Sequence, residues 1–468
     1  MRFYLLLLLT MIGVGKAAPV PCEGLASLNL PNVTITLAQA MPSYCRVAAT
    51  LKPSADSDIK MEVWMPASGW NGKMEANGNG GWSGSINPTV LGNGVQRGYA
   101  TAMSDLGHEG SSASFALGHP EKLTDFGYRA AHEMTVAAKA IIASHYGQAP
   151  KLSYWSGCSA GGRSALMEAQ RFPADFDGII AGAPGLNWTG RATQSVWVAQ
   201  AAHKTEGSYI PPAKYALIHA AVLKACDAKD GVEDGVLEDP TRCHFDPREL
   251  QCAGADNVTC LTAEQVETAR AIYADVPGVV PGFEPGSELG WATMAGPKPF
   301  GIGSEFFKYV VFQNPAWDYK TFHFDRNVAN STLNAMSPDL KAFRDHGGKL
   351  IQYHGWSDPQ ISPASSPAYY KSVVAEMGGG EDVEKFYRLF MVPGMAHCGG
   401  GDGTSSFDML SAMEQWVEKG KAPDQIAAAR RKNGTVDRTR PLCPYPQVAR
   451  YKGSGSTDDA ANFICRTP

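Results

Sequence analysis

Leu152-Ser153-Tyr154-Trp155-Ser156-Gly157-Cys158-Ser159-Ala160-Gly161-Gly162 is the stretch on which the fold turns. Residues 152–155 are bulky and strand-forming, Gly157-Cys158-Ser159-Ala160-Gly161 fits G-x-S-x-G, and a helical pattern follows Gly161 to about Arg171. Between a strand and a helix, that motif predicts a sharp turn presenting a serine hydroxyl at the strand end. Small residues at the glycine positions let backbones pass closely, and a helix N-terminus favours negative charge beside the serine.

Other β-rich runs flank this turn, at residues 61–65, 99–103, 178–181, 350–354 and 386–392. A helix is predicted over 126–145, with Ala130, Ala131, Met134, Ala137, Ala138 and Ile141 on one face. Alternating strand and helix predicts an α/β fold with a largely parallel sheet. The alternation fades between about Trp188 and Phe324, where four cysteines, an Asp-rich loop and a Gly/Pro-rich run replace it. This predicts a sheet domain in two parts, 18–187 and 336–468, with an inserted domain, 188–335, lying over the sheet.

The chain of 468 residues is 44% hydrophobic, enough for a large core. A net charge of -5 argues against a dedicated nucleic-acid binder, and 10 Trp, 17 Tyr and 18 Phe argue against disorder. Arg2, the apolar run Leu5-Leu6-Leu7-Leu8-Leu9, then Met11, Ile12, Val14, Gly15 and Ala17 predict a signal peptide over 1–17. No later stretch reaches about 18 apolar residues, so no membrane span is expected in the mature chain. The expected location is secreted or periplasmic.

Ten cysteines suit that oxidising location. Proximity suggests the pairs Cys22 with Cys45, Cys226 with Cys243, Cys252 with Cys260, and Cys443 with Cys465. Cys158 and Cys398 are left, beside Ser159 and His397. A bond between them would tie the serine turn to the His397 loop, with a chain-entropy contribution of roughly 5 kcal/mol. Two free buried thiols are the alternative for this last pair. A zinc site is the alternative for the set, but there is no C-x-x-C spacing to support it.

A serine at such a turn needs a base, because its hydroxyl is a weak nucleophile. In strand–turn–helix hydrolases the chain order is serine, acid, histidine. His397 follows run 386–392 in P-G-M-A-H-C-G-G, and Asp358 follows run 350–354 in H-G-W-S-D-P. Imidazole suits proton transfer near neutrality, and a buried carboxylate would hold its tautomer. His354 is the nearest rival base but lies in the segment that delivers Asp358. Asp402 is the rival acid but comes after His397. The oxyanion hole is expected from the amide of Ala160 and from Gly80 or Gly81 in Asn77-Gly78-Asn79-Gly80-Gly81-Trp82, each donor lowering the barrier by about 3–4 kcal/mol.

Cys158-Ser159, Asp358 and His397-Cys398 resemble the CS-D-HC motif of the tannase and feruloyl esterase family, which also contains mono(2-hydroxyethyl) terephthalate hydrolases. The run R-T-R-P-L-C-P-Y-P-Q-V-A-R-Y-K-G-S-G-S at 438–456 is similar as well. The resemblance implies an α/β-hydrolase fold with a lid domain, the five disulfides above, and a secreted esterase acting on a small aromatic ester. Asp227 to Val236 pack carboxylates at a density suited to Ca²⁺, although Val232 stands where an EF-hand needs Asp or Asn. By resemblance, the carboxylates of Asp227, Asp230 and Asp234 and the carbonyls of Val232 and Val236 would hold a structural Ca²⁺; no organic cofactor is implied. Lid aromatics Trp291, Phe300, Phe306, Phe307 and Trp317 are candidates to stack on an aromatic acid. Arg326 is the nearest lid candidate for the arginine that terephthalate-monoester hydrolases use. The expected substrates are hydroxycinnamate or gallate esters. A terephthalate monoester is the rival substrate; a non-catalytic binding protein and a metallohydrolase are the rival classes.

Overall fold

The structure is a computed structural model that describes residues 18–324, 328 and 330–468. The expected signal peptide (1–17) and Arg326 lie outside the described residues.

Nine strands form one sheet in the order β1-β2-β3-β5-β4-β6-β7-β8-β9. They are β1 (Val33–Ala40), β2 (Tyr44–Leu51), β3 (Ile59–Pro66), β4 (Lys73–Asn77), β5 (Ala100–Ser104), β6 (Leu152–Cys158), β7 (Gly178–Gly182), β8 (Lys349–Gly355) and β9 (Tyr387–Val392). From β5 to the β9 edge every pairing is parallel. The other half, β1-β2-β3-β5, is antiparallel. The sheet is therefore mixed, and the expected parallel character holds only on the side that carries the serine turn. The meander β1-β2-β3 needs only short hairpin connections, whereas each parallel pairing needs a crossover.

The longer helices are α1 (Pro88–Gln96), α2 (Ala130–Tyr146), α3 (Ala160–Arg171), α4 (Trp188–Ala202), α5 (Tyr215–Cys226), α6 (Ala263–Tyr273), α7 (Ser365–Glu376) and α8 (Met409–Lys419). The sheet is covered on both faces because its central strands are apolar on both. Trp155, Ile179, Leu350 and Leu389 enter one core with residues of α2 and α3. Their neighbours Tyr154, Ile180, Ile351 and Phe390 enter another against α8. This is the period of two expected of a strand buried on both sides. The predicted 126–145 helix runs one residue further, to Tyr146, but it is α-helical only from Ala130; the turn before α2, Asp125–Arg129, is π-helical. Arg163 fills the space behind it, donating to Gly127 O (2.7 Å) and Phe126 O (3.0 Å).

Between β7 and β8 the chain leaves the sheet and builds a helical layer around its own core, which includes Val198, Ile218, Val266, Ile272, Trp291 and Met294. Local signals set its helix starts. Asn187 caps α4 through Gly190 N, and Thr262 with Gln265 forms a capping box on α6. All ten cysteines are bonded in the five expected pairs. After β9 come a small sheet, β10 (Ser406–Phe407), β11 (Ile426–Lys432) and β12 (Thr435–Leu442), and the pair β13 (Val448–Tyr451) and β14 (Phe463–Arg466).

Candidate active site

Ser159 stands between β6 and α3 with φ 64° and ψ -120°. A non-glycine residue there is strained by about 1–3 kcal/mol, so the surroundings must hold it. They do so by backbone bonds: Ser159 N donates to Gly182 O (2.9 Å), while Arg163 N (2.9 Å) and Gly185 N (3.1 Å) donate to Ser159 O. The flanking glycines are required by closeness. A Cβ on Gly157 would lie 2.5 Å from Gly161 O, and one on Gly161 would lie 3.0 Å from Gly78 C. The second contact also shows that the glycine loop after β4 lies directly against the serine turn.

That loop is braced. Asn79 Nδ2 donates to the carbonyls of Ser83 (3.1 Å), Ser85 (3.1 Å) and Ser104 (3.0 Å), and Trp82 Nε1 donates to Ile302 O (2.9 Å) in the inserted layer. Among the described residues the amides of Ala160, Gly80 and Gly81 donate to no protein acceptor.

Asp358 lies just past β8 and His397 just past β9. Asp358 is fully buried, and its carboxylate receives four donors. Gln360 N (2.8 Å) and Ile361 N (3.0 Å) bond Oδ1. His397 Nδ1 (2.7 Å) and His354 Nε2 (3.1 Å) bond Oδ2. Burial alone would push this carboxyl up, but the two imidazoles hold it well below the usual carboxylate range. His354, the rival base in sequence terms, thus sits behind the acid. Asp402 is exposed, 3.7 Å from His219 Nε2. Cys158 and Cys398 are bonded with their Cα atoms 6.0 Å apart, which joins the serine turn to the histidine loop. No hydrogen bond between Ser159 Oγ and His397 forms in the structure.

The inserted layer closes on this site through α4. Arg191 Nε donates to Gln360 O (3.2 Å), its guanidinium lies 5.1 Å from the Phe300 ring, and its buried Nη2 has no partner. Nothing local in the sequence marks Arg191, because the role depends on how α4 meets the Asp358 loop. Trp291, Phe306 and Phe307 are fully buried in core clusters, and Trp317 packs beside Phe307.

In the acidic loop, Asp227 Oδ2 accepts from Gly235 N (2.9 Å), and its buried Oδ1 has no partner. Asp230 accepts from Val232 N (3.0 Å) and Glu238 N (3.1 Å). Asp234 accepts from Val236 N (3.2 Å) and pairs with Arg440 and Arg438. Burial, helped by the neighbouring carboxylates, pushes Asp230 up to about 6. An orphaned carboxylate oxygen among hard oxygen donors fits a cation such as Ca²⁺. The three carboxylates do not converge as they stand, with Asp234 drawn to Arg440. Among the described residues the one group of such donors within 4.8 Å of one another is His132, Glu168 and Asp175. There His132 Nδ1 bonds Asp175 Oδ2 (2.6 Å), and burial followed by the Asp175 carboxylate pushes the Glu168 carboxyl well above the usual range.

Fold and site together define a carboxylic ester hydrolase on an α/β-hydrolase-type sheet. The chain belongs to the tannase and feruloyl esterase family, whose model matches residues 45–298 and 301–466. It is 40% identical to an uncharacterized esterase of Xanthomonas campestris pv. campestris, over 98% of this chain and 94% of that one. It is 35% identical to a probable feruloyl esterase B-2 of Neosartorya fischeri, over 94% and 91%. Among solved structures, an esterase from Aspergillus oryzae superposes with a TM-score of 0.90 at 33% identity, covering 95% of this chain and 99% of that one. Feruloyl esterase B from Aspergillus oryzae gives 0.87 at 31%, with the same coverage.

Proposed function

We propose that this feruloyl esterase/tannase-type enzyme cleaves esters of aromatic acids, hydroxycinnamates or gallates, through Ser159, His397 and Asp358. One observation carries the reading: the 2.7 Å bond from His397 Nδ1 to a buried Asp358, in a loop bonded through Cys398 to the cysteine beside Ser159. With Nδ1 committed, Nε2 is the nitrogen left to act on the serine. Ser159 Oγ attacks the ester carbonyl as His397 takes its proton. The carbonyl oxygen, now negative, meets the unengaged amides of Ala160 and Gly80 or Gly81. His397 then protonates the leaving alkoxide, and water, activated by the same base, releases the acid from Ser159. The serine–histidine contact is expected to tighten when substrate binds.

In this reading the carboxylates of Asp227, Asp230 and Asp234 and the carbonyls of Val232 and Val236 hold a structural Ca²⁺, which would supply charge balance to the loop and no step of the reaction. The enzyme acts outside the cytoplasm, secreted or periplasmic. The five disulfides support this, and among the described residues no helix is long and apolar enough to cross a membrane.

A second reading, a terephthalate-type monoester, is favoured by the orphaned Nη2 of Arg191 beside Phe300, since a free carboxylate on the acid would satisfy it. Rates on methyl ferulate, methyl gallate and mono(2-hydroxyethyl) terephthalate separate the two. The first reading expects kcat/KM on ferulate or gallate to exceed that on the terephthalate by at least about tenfold, or ~1.4 kcal/mol. The reverse order would establish the second.

A further inference from the structure

Asp358 Oδ2 is shared by two imidazoles, and one of them, His397, lies in the loop bonded through Cys398 to the cysteine beside Ser159. The other, His354, is fully buried and begins a chain of bonds that leads away from the site. His354 Nδ1 lies 2.7 Å from Ser366 Oγ in the first turn of α7. Gln352 Nε2 donates to that same Oγ (2.7 Å), and Tyr387 OH donates to Gln352 Oε1 (2.6 Å). Gln352, Ser366 and Tyr387 are all fully buried.

The order of donors follows from chemistry. The Tyr387 phenol keeps its proton, because burial and then the Tyr369 and Tyr370 hydroxyls hold it far above its ordinary range. It therefore donates, and Gln352 turns its oxygen to Tyr387 and its NH₂ to Ser366. The Ser366 hydroxyl accepts from Gln352, so its own proton goes to the other partner within reach, His354 Nδ1. Nδ1 is then an acceptor, and a neutral ring carries its hydrogen on Nε2, aimed at Asp358. The Asp358 end gives the same answer independently. The opposite neutral tautomer would point a nitrogen lone pair at a buried carboxylate oxygen.

We propose that His354 is a positioning residue for ester hydrolysis: locked as the Nε2–H tautomer by Tyr387, Gln352 and Ser366, it donates constantly to Asp358 Oδ2 and fixes where that oxygen meets His397. The inference rests on the Asp358–His397 pair acting as proposed above. The loop amides of Gln360 and Ile361 hold only Oδ1. Without His354 the second oxygen has a single donor, and that donor is the ring that must gain and lose a proton during turnover.

The test compares His354→Phe, which fills the space without a donor, with His354→Gln, whose side-chain amide N–H reaches about as far as Nε2. Asp358→Asn is the reference, and methyl ferulate and p-nitrophenyl butyrate are the probes. In His354→Phe, kcat should fall at least ~10-fold on both esters with KM within about twofold, and His354→Gln should recover kcat to within about threefold of wild type. A folded His354→Phe that keeps wild-type kcat, while Asp358→Asn loses ~10³-fold or more, overturns the positioning role and leaves the triad reading standing. An Asp358→Asn variant with unchanged kcat removes the triad reading, and this inference with it. If His354→Phe does not fold, the wild type decides. Two-bond ¹H–¹⁵N correlations of ¹⁵N-histidine-labelled protein, assigned by the signal lost in His354→Gln, should place one ring proton on Nε2. A proton on Nδ1, or on both nitrogens, overturns the proposal.

Discussion

Ser159 pairs an unfavourable backbone angle with glycines that cannot be replaced, and both trace to one cause: the turn passes within contact of α3 and of the loop after β4. That closeness is why G-x-S-x-G could be read from the chain, since only the smallest residues survive there. That Asp358 and His397 would lie together was legible by chain order and by their positions after β-rich runs, and the structure bonds them. The parts played by His354 and Arg191 were not. Each depends on which side chain of a neighbouring element reaches a carboxylate or a carbonyl, and no spacing encodes that. Glu168 is a third such case. It is fully buried against Asp175, and burial and then that neighbour push its carboxyl well above the usual range, so the fold favours its protonated form. An unfolded glutamate releases its proton near about pH 4.3, so above that pH the unfolded state holds one proton fewer than the native state, and stability falls as pH rises. Glu168→Gln cannot release a proton. Thermal melts should show the variant gaining on wild type between pH 4.5 and pH 8; a difference in Tm that stays constant with pH would contradict this.

At the scale of elements, the central strands were readable because they are apolar on both faces and bounded by glycine turns. β4 was not: Lys-Met-Glu-Ala-Asn has no β-branched residue, and it is held by parallel partners on both sides. The antiparallel β1-β2-β3 meander also escaped the reading of a largely parallel sheet. The disulfide pattern carried over fully, because four pairs are local and the fifth joins the two loops that chemistry requires to meet. The acidic loop after α5 is an element whose stability is expected to depend on a cation. Its three carboxylates are half-buried in one short loop, and of them only Asp234 is paired with arginine, Arg438 and Arg440. EDTA should lower Tm by several degrees and Ca²⁺ restore it, as expected when a ligand binds only the native state. A Tm unchanged by chelation would remove the ion from the account.

At the scale of the whole molecule, the site is assembled from distant parts of the chain. In the proposed mechanism the serine and one oxyanion donor, Ala160 N, come from the turn between β6 and α3, the acid from beyond β8, the base from beyond β9, and the second oxyanion donor from beyond β4. The helical layer between β7 and β8 grips the same loops through Trp82–Ile302, Arg191–Gln360 and Ser362–Gly282. The catalytic geometry is thus a property of the complete fold. This also explains why fading periodicity between Trp188 and Phe324 carried no sign of these contacts with the site. The central claim is that Ser159 is the nucleophile. The most direct test is the rate of methyl ferulate hydrolysis by purified Ser159→Ala beside wild type, both shown to be folded by thermal melt. The account predicts that kcat falls by at least ~10⁴-fold, as when the nucleophile of a serine hydrolase is removed. A variant that keeps kcat within about tenfold of wild type would contradict it.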